Sequence, residues 1–286
     1  MADGRLACVV NATCDPIRTD DPNDPRLDDF RDLTTADRRP DRPGGRGFVI
    51  AEGAVVVRRL LASRYPVRAV LGVPRRIEEL AGDLAGLRAP VYETSADTMA
   101  SVVGFHLNRG VLAIADKADL PSAEEIARNG RTLAVLEGVG DHENLGSIFR
   151  NAAALGVDGV LLGPRCSDPL YRRSVRVSMG NVLRVPFAAL RPWPAGLELL
   201  REQGFRVAAM TPRPGSFSLR ELRELRESRP EGGRIALLLG AEGPGLSAEA
   251  IDAADVAVRI PMADGVDSLN VATAAAVGFY ELADRG

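Results

Sequence analysis

A series of short apolar runs in the C-terminal half limits the possible folds of this chain more than any other feature. They are Thr132 to Leu136, Gly159 to Leu162, Val185 to Leu190, Arg206 to Met210, Ile235 to Leu239 and Val256 to Ile260. Each has the length of a strand, and helix-like segments fill most of the gaps between them. Strands buried on both faces read as continuous apolar runs, and when helices separate them they form a mostly parallel sheet covered on both sides. An α/β fold is therefore expected over residues 132–286. At 286 residues the whole chain is long enough for two domains.

The first half is organised differently. Residues 15–47 are dense in Asp, Arg and Pro, as in Asp20-Asp21-Pro22-Asn23-Asp24-Pro25, and residues 1–47 as a whole are expected to form an extended, largely solvated N-terminal segment. From Phe48 the pattern changes: Val49, Ala54, Val57, Leu60 and Leu61 recur at helical spacing, and Val67 to Val73 is a β-branched run. Further elements are expected as a helix over Ile77 to Leu84, a strand over Ala89 to Tyr92, a helix over Ala96 to Val103 and a strand over Gly110 to Ala115. This alternation predicts a smaller α/β domain over 48–117. The polar stretch after it predicts a linker over 118–131 with room for one short helix.

Composition excludes several classes. Hydrophobic residues at 45% and charged residues at 26% suit a globular protein, and no apolar stretch approaches the roughly 20 residues needed to span a bilayer. The first residues lack the apolar core of a secretory signal, so a cytoplasmic address is expected. Cys8, Cys14 and Cys166 form no Cys-x-x-Cys pair, and only His106 and His142 could join them. Neither a metal site nor a disulfide scaffold is expected. The net charge of −3 gives no global basic signal, so any nucleic-acid surface must be a local patch. The run Arg165 to Arg184 is the best such patch: Arg165, Arg172, Arg173, Arg176 and Arg184 stand against the single acid Asp168. A solvated helix face would read the same way.

Chemistry concentrates in three segments placed where strands hand over to loops or helices, the usual address of ligands in open α/β sheets. In the first, Glu143, Ser147 and Arg150 share one helix face while Ile148, Ala152 and Leu155 form an adjacent apolar stripe. Arg150 could equally be a surface charge. In the second, the apolar strand ending at Leu239 runs into Gly240-Ala241-Glu242-Gly243-Pro244-Gly245-Leu246, where glycines permit either close approach to a ligand or an ordinary turn. The third is Ile260-Pro261-Met262 followed by Asp267-Ser268-Leu269-Asn270, opening an alanine-rich helix. Ser268 reads as its N-cap, and free N–H groups there would favour an anion as well as a plain cap. A dinucleotide fingerprint begins at Gly138-Val139-Gly140 but fails at residue 143, which is Glu143 rather than glycine, and no P-loop occurs.

Taken in this order, the three segments resemble the three motifs of the SpoU family. Asn144 to Ala152 is similar to the first, Gly240 to Leu246 to the second, and Ile260-Pro261-Met262 with Ser268 to Ala272 to the third. The resemblance covers roughly residues 130–286, and the preceding domain is similar to the ribosomal-protein-like RNA-binding domain that several members carry. It implies an α/β SPOUT fold with a deep trefoil knot and a homodimer formed through the C-terminal domain. Ala274 and Gly278, four apart on the last helix, would serve that contact or the chain's own core.

The resemblance also implies transfer of a methyl group from S-adenosylmethionine to a ribose 2′-hydroxyl of RNA, ribosomal RNA being favoured over transfer RNA. Backbone around Gly240, Gly243, Ile260, Ser268 and Leu269 would hold the cofactor, with Leu238, Leu239 and Met262 lining the adenine pocket. Arg150 would act on the hydroxyl, as base or as phosphate anchor, with Asn144, Glu242, Ser268 and Asn270 shaping the site. The alternative is a non-catalytic RNA-binding protein that keeps the knotted fold.

Overall fold

The computed structural model describes residues 15–33, 47–228 and 233–283. The chain divides after Lys117 into two compact units.

The N-terminal unit comprises β1 (Ile17–Arg18), β2 (Val49–Glu52), α1 (Ala54–Leu61), β3 (Val67–Gly72), α2 (Pro74–Glu79), α3 (Ala81–Leu84), β4 (Val91–Glu93), α4 (Ala96–Val103) and β5 (Val111–Ala115). Its strands lie in the order β1-β4-β3-β5-β2. β1, β4 and β3 run parallel, and β5 is antiparallel to both β3 and β2. The expected solvated lead-in is corrected over residues 15–33. Ile17 and Arg18 pair with Tyr92 and Glu93, and a 3-10 turn over Pro25–Phe30 drives Leu27, Phe30 and Leu33 into the core beside Leu71, Met99 and Ile114. Asp24 caps that turn and Pro25 presets its first residue. Residues 1–14 and 34–46 of the expected segment lie outside the described residues. Val49, expected at the start of a helix, stands in β2 because residues 49–52 pair with β5; the helix begins only after Gly53, whose φ of 89° turns the chain.

The C-terminal unit runs α5 (Ala123–Asn129), β6 (Thr132–Glu137), α6 (His142–Ala154), β7 (Gly159–Leu162), α7 (Arg172–Val177), β8 (Phe187–Ala189), α8 (Leu197–Glu202), β9 (Phe205–Met210), β10 (Phe217–Ser218), α9 (Leu219–Glu227), β11 (Arg234–Gly240), α10 (Ala248–Asp252), β12 (Val256–Arg259) and α11 (Val271–Leu282). Among the described residues the strands form one parallel, seven-stranded sheet in the order β10-β12-β9-β11-β6-β7-β8. The expected linker is corrected as well. Ser122 and Glu125 form a reciprocal capping box that starts α5, and Ile126 and Ala127 join Leu133, Leu161 and Leu200 in the core, so the segment belongs to this unit.

Helices cover both faces of the sheet. α5 and α8 close one face over Val135, Val207 and Leu238. α11 lies on the other, so close to β11 that a Cβ on Gly278 would stand 2.6 Å from Leu237 Cδ2. Gly278 therefore serves packing within the chain. Phe149 of α6 meets Phe187 edge-on at 5.6 Å, a geometry worth about 0.5–1.5 kcal/mol beyond the area it buries. Among the described residues no helix is long and apolar enough to cross a membrane.

Candidate active site

The strand order brings the carboxyl ends of β9, β11 and β12 together, and a cleft of about 750 Å³ opens there. Met210, Thr211 and Arg213 contribute from the end of β9, Leu239 to Leu246 from the end of β11, and Ile260 and Met262 from beyond β12. Asp267, Ser268, Leu269 and Asn270 close it from the segment that leads into α11. The second motif doubles back over its own strand: Gly245 N donates to Ala241 O at 3.0 Å. Gly240 is required by that fold-back, because a Cβ there would lie 2.2 Å from both Gly245 C and Leu246 N.

The cleft gathers Leu239, Gly240, Gly243, Ile260, Met262, Ser268 and Leu269, all expected to hold a cofactor. Leu238 is a correction. Successive strand residues point to opposite faces, and Leu238 is fully buried in the core beneath α5 and α8, away from the cleft. The run Leu237-Leu238-Leu239 hides this alternation because both faces are covered.

Three motifs meet at one side chain. Asn270 Nδ2 donates to Asn144 Oδ1 at 2.8 Å and to Glu242 Oε1, while its Oδ1 accepts from the backbone N–H groups of Ala272 and Thr273 at 3.0 and 3.1 Å. Asn270 is thus the N-cap of α11. The expectation of a cap at Ser268 is corrected: Ser268 is exposed on the cleft wall, two residues short of the capping position. Asn144 is held in place from behind, since Asp141 caps α6 by accepting from Glu143 N and Asn144 N at 2.9 Å. Asn151, one turn beyond Ser147, ties α6 to α11 by donating to Ala272 O at 2.9 Å.

Arg150 lies on the exposed face of α6 and is not part of the cleft wall; among the described residues it makes no hydrogen bond or ion pair. The other expected RNA-contacting arginines differ from one another. Arg173 pairs with Glu143 at 2.5 Å, Arg165 reaches Glu137 at 3.6 Å, Arg172 and Arg176 are half-buried, and Arg184 is exposed. They do not stand as one bare cationic face.

Sequence reasoning missed two contributors. Glu137, at the end of β6, is buried and accepts from Trp193 Nε1 and Ser247 N, each at 2.9 Å. It thereby pins the chain where the second motif gives way to α10. Arg213 lies just past the carboxyl end of β9, and that position is the one signal that could have found it. Among the described residues, no group of three or more His, Cys, Asp or Glu side chains could hold a metal ion.

Residues 131–280 match the model of the SpoU rRNA Methylase family. The chain belongs to that family. It is 59% identical over 266 residues to an uncharacterized tRNA/rRNA methyltransferase of Mycobacterium tuberculosis, an alignment covering 93% of this chain and 91% of the relative. Among solved structures, the rRNA methyltransferase from Sinorhizobium meliloti bound to S-adenosylmethionine is similar with a TM-score of 0.75 and 25% identity, covering 93% of this chain and 97% of the other. The SpoU methyltransferase AviRb from Streptomyces viridochromogenes, in complex with the same cofactor, has the same fold, with a TM-score of 0.71 and 20% identity over 89% of this chain and 96% of that one. The SpoU segment is therefore a methyltransferase domain on a parallel α/β sheet.

Proposed function

We propose that this protein transfers a methyl group from S-adenosylmethionine to a ribose 2′-hydroxyl of structured RNA, ribosomal RNA before transfer RNA. The observation that carries the reading is the junction at Asn270, where the side chains of all three motifs converge beside the cleft. The cleft suits the cofactor chemically. Leu239, Ile260 and Met262 offer apolar walls to a purine, the close-packed turn at Gly240 brings backbone to the cleft, and Glu242 and Asp267 supply negative charge opposite a cation.

When bound, S-adenosylmethionine supplies an electrophilic methyl group on a positive sulfonium. The chain's own task is to present the ribose oxygen in line and to manage its proton. Arg150 carries only donors and no acceptor, so its part is to grip the phosphate beside the target ribose through paired hydrogen bonds. Its exposed position, with no hydrogen-bond or ion-pair partner among the described residues, suits that part. Asn270 orients Glu242 and Asn144 toward the reacting groups, and Ser268 and Leu269 line the cleft on the same segment.

In this reading Arg165, Arg172, Arg173, Arg176 and Arg184 contact RNA phosphates individually, Arg173 exchanging Glu143 for a phosphate, rather than as one bare cationic face. The trefoil knot and the homodimer belong to the same reading. Val277 and Tyr280 of α11, 39% and 57% exposed, are apolar surface suited to a second copy. A cytoplasmic site of action agrees with the RNA substrate. The test is transfer of tritiated methyl from S-adenosylmethionine to unmodified total RNA, with ribosomal and transfer RNA separated afterwards. Label in ribosomal RNA is expected, and no label in either pool would refute the proposal.

A further inference from the structure

The charges around the cleft are few and unlike. Among the described residues lining it, Arg213 is the one cation, and Glu242 and Asp267 are the carboxylates. The backbone at Arg213 is pinned by a turn, since Ser216 Oγ donates to Arg213 O at 2.8 Å. The guanidinium itself is weakly engaged. Its Nη1 stands 3.9 Å from Oδ1 of Asp252, and the two side chains are 51% and 77% exposed. Exposed pairs of that kind are worth little, so the guanidinium can turn to an incoming anion at small cost. Its forked N–H donors match the two oxygens of a carboxylate.

We propose that Arg213 forms an anion subsite of the cleft, taking the α-carboxylate of an amino-acid-bearing nucleoside. The proposal rests on the S-adenosylmethionine reading. That cofactor carries a sulfonium, an ammonium and one carboxylate, while the cleft carries two carboxylates and one guanidinium, so each charge has an opposite to meet. Glu242 is fixed by Asn270 at the motif junction, which leaves Arg213 to receive the carboxylate. No part of the family motifs includes this residue, so it adds a contact that the motifs do not supply.

Calorimetric titration of the full chain with two nucleosides tests this. S-adenosylhomocysteine carries the amino-acid moiety, and 5′-methylthioadenosine shares its adenosine and thioether but lacks that moiety. Arg213→Ala is expected to weaken S-adenosylhomocysteine about tenfold or more, the scale of a charge-assisted hydrogen bond, and to leave 5′-methylthioadenosine unchanged. Arg213→Lys should restore part of the loss, and RNA affinity should not move. Equal losses for both nucleosides would overturn the proposal in favour of a role in shaping the cleft. Unchanged S-adenosylhomocysteine affinity with weaker RNA binding would overturn it by assigning the arginine to an RNA phosphate. Failure of the unsubstituted chain to bind either nucleoside would instead remove the cofactor reading itself, before any variant is compared.

Discussion

Asn270 does two jobs with two ends of one amide, and substitution can separate them. Its Oδ1 caps α11 through Ala272 N and Thr273 N, while its Nδ2 links Asn144 and Glu242. Asn270→Ala removes both. Loss of an N-cap costs about 1 kcal/mol, which for a unit of this size lowers Tm by about 2–4 °C. Asn270→Asp keeps a capping oxygen, and a negative charge at a helix N-terminus is itself favourable, so it retains the capping contribution and its Tm should stay above that of Asn270→Ala. It nevertheless lacks the donor and sets a second carboxylate against Glu242. If the lost charge-assisted bond, about 1.5–3 kcal/mol, is expressed wholly in the transition state, turnover falls roughly 10- to 100-fold. Calorimetric melting and methyl-transfer rates on the same preparations measure both effects. A stable Asn270→Asp variant with parental turnover would refute the idea that the motif junction organises the site, and an unchanged Tm for Asn270→Ala would refute the capping argument.

Gly240→Ala should destabilise the C-terminal unit by about 1–3 kcal/mol, the usual cost of overpacking, and weaken nucleoside binding, because its Cβ would meet the backbone of Gly245 and Leu246 at 2.2 Å; a parental urea midpoint and affinity would contradict this. Glu137→Ala leaves Trp193 Nε1 and Ser247 N without their acceptor, at about 1–3 kcal/mol for each buried donor that stays unpaired, and a shift of the urea midpoint reads that loss. In the N-terminal unit, hydrogen bonds from the Arg26 side chain, from Thr19 and from the Arg26 backbone hold the Asp24 carboxyl well below its ordinary value of 3.8. A carboxylate lowered in the folded state contributes stability above that ordinary value and loses it as pH falls toward the folded one. Asp24→Asn should therefore be less stable than the parent at pH 6, with the gap narrowing as the pH drops below about 4; a gap independent of pH would count against the pairing.

How far the sequence reveals the fold depends on how each signal is encoded. β6, β7, β9 and β11 are legible because strands buried on both faces spell nearly continuous apolar runs, and β12 is legible from Val256, Val258 and Ile260 although it is buried only at Val258. The same continuity conceals which of Leu238 and Leu239 faces the cleft. The two-residue strands β1 and β10 are too short for any periodicity to register. Leu27, Phe30 and Leu33 recur every three residues, the period of a 3-10 turn, amid Asp and Arg residues that make the segment look solvated. The motif residues Asn144, Glu242 and Asn270 are legible as a set, yet the bonds joining them span 126 and 28 residues. Which of Ser268 and Asn270 caps α11 depends on where the preceding loop ends, and local spacing does not encode that. Glu137 and Arg213 carry no motif of their own; their roles arise from a strand order that sequence alone leaves open.

The most direct test of ribose methylation is the alkaline stability of the labelled product. RNA methylated by the protein with tritiated S-adenosylmethionine is hydrolysed in alkali, which needs a free 2′-hydroxyl to cut the adjacent phosphodiester. Label recovered in alkali-resistant dinucleotides, and lost with Arg150→Ala, is the expected result. Label recovered in mononucleotides would place the methyl group on a base and contradict the proposed reaction.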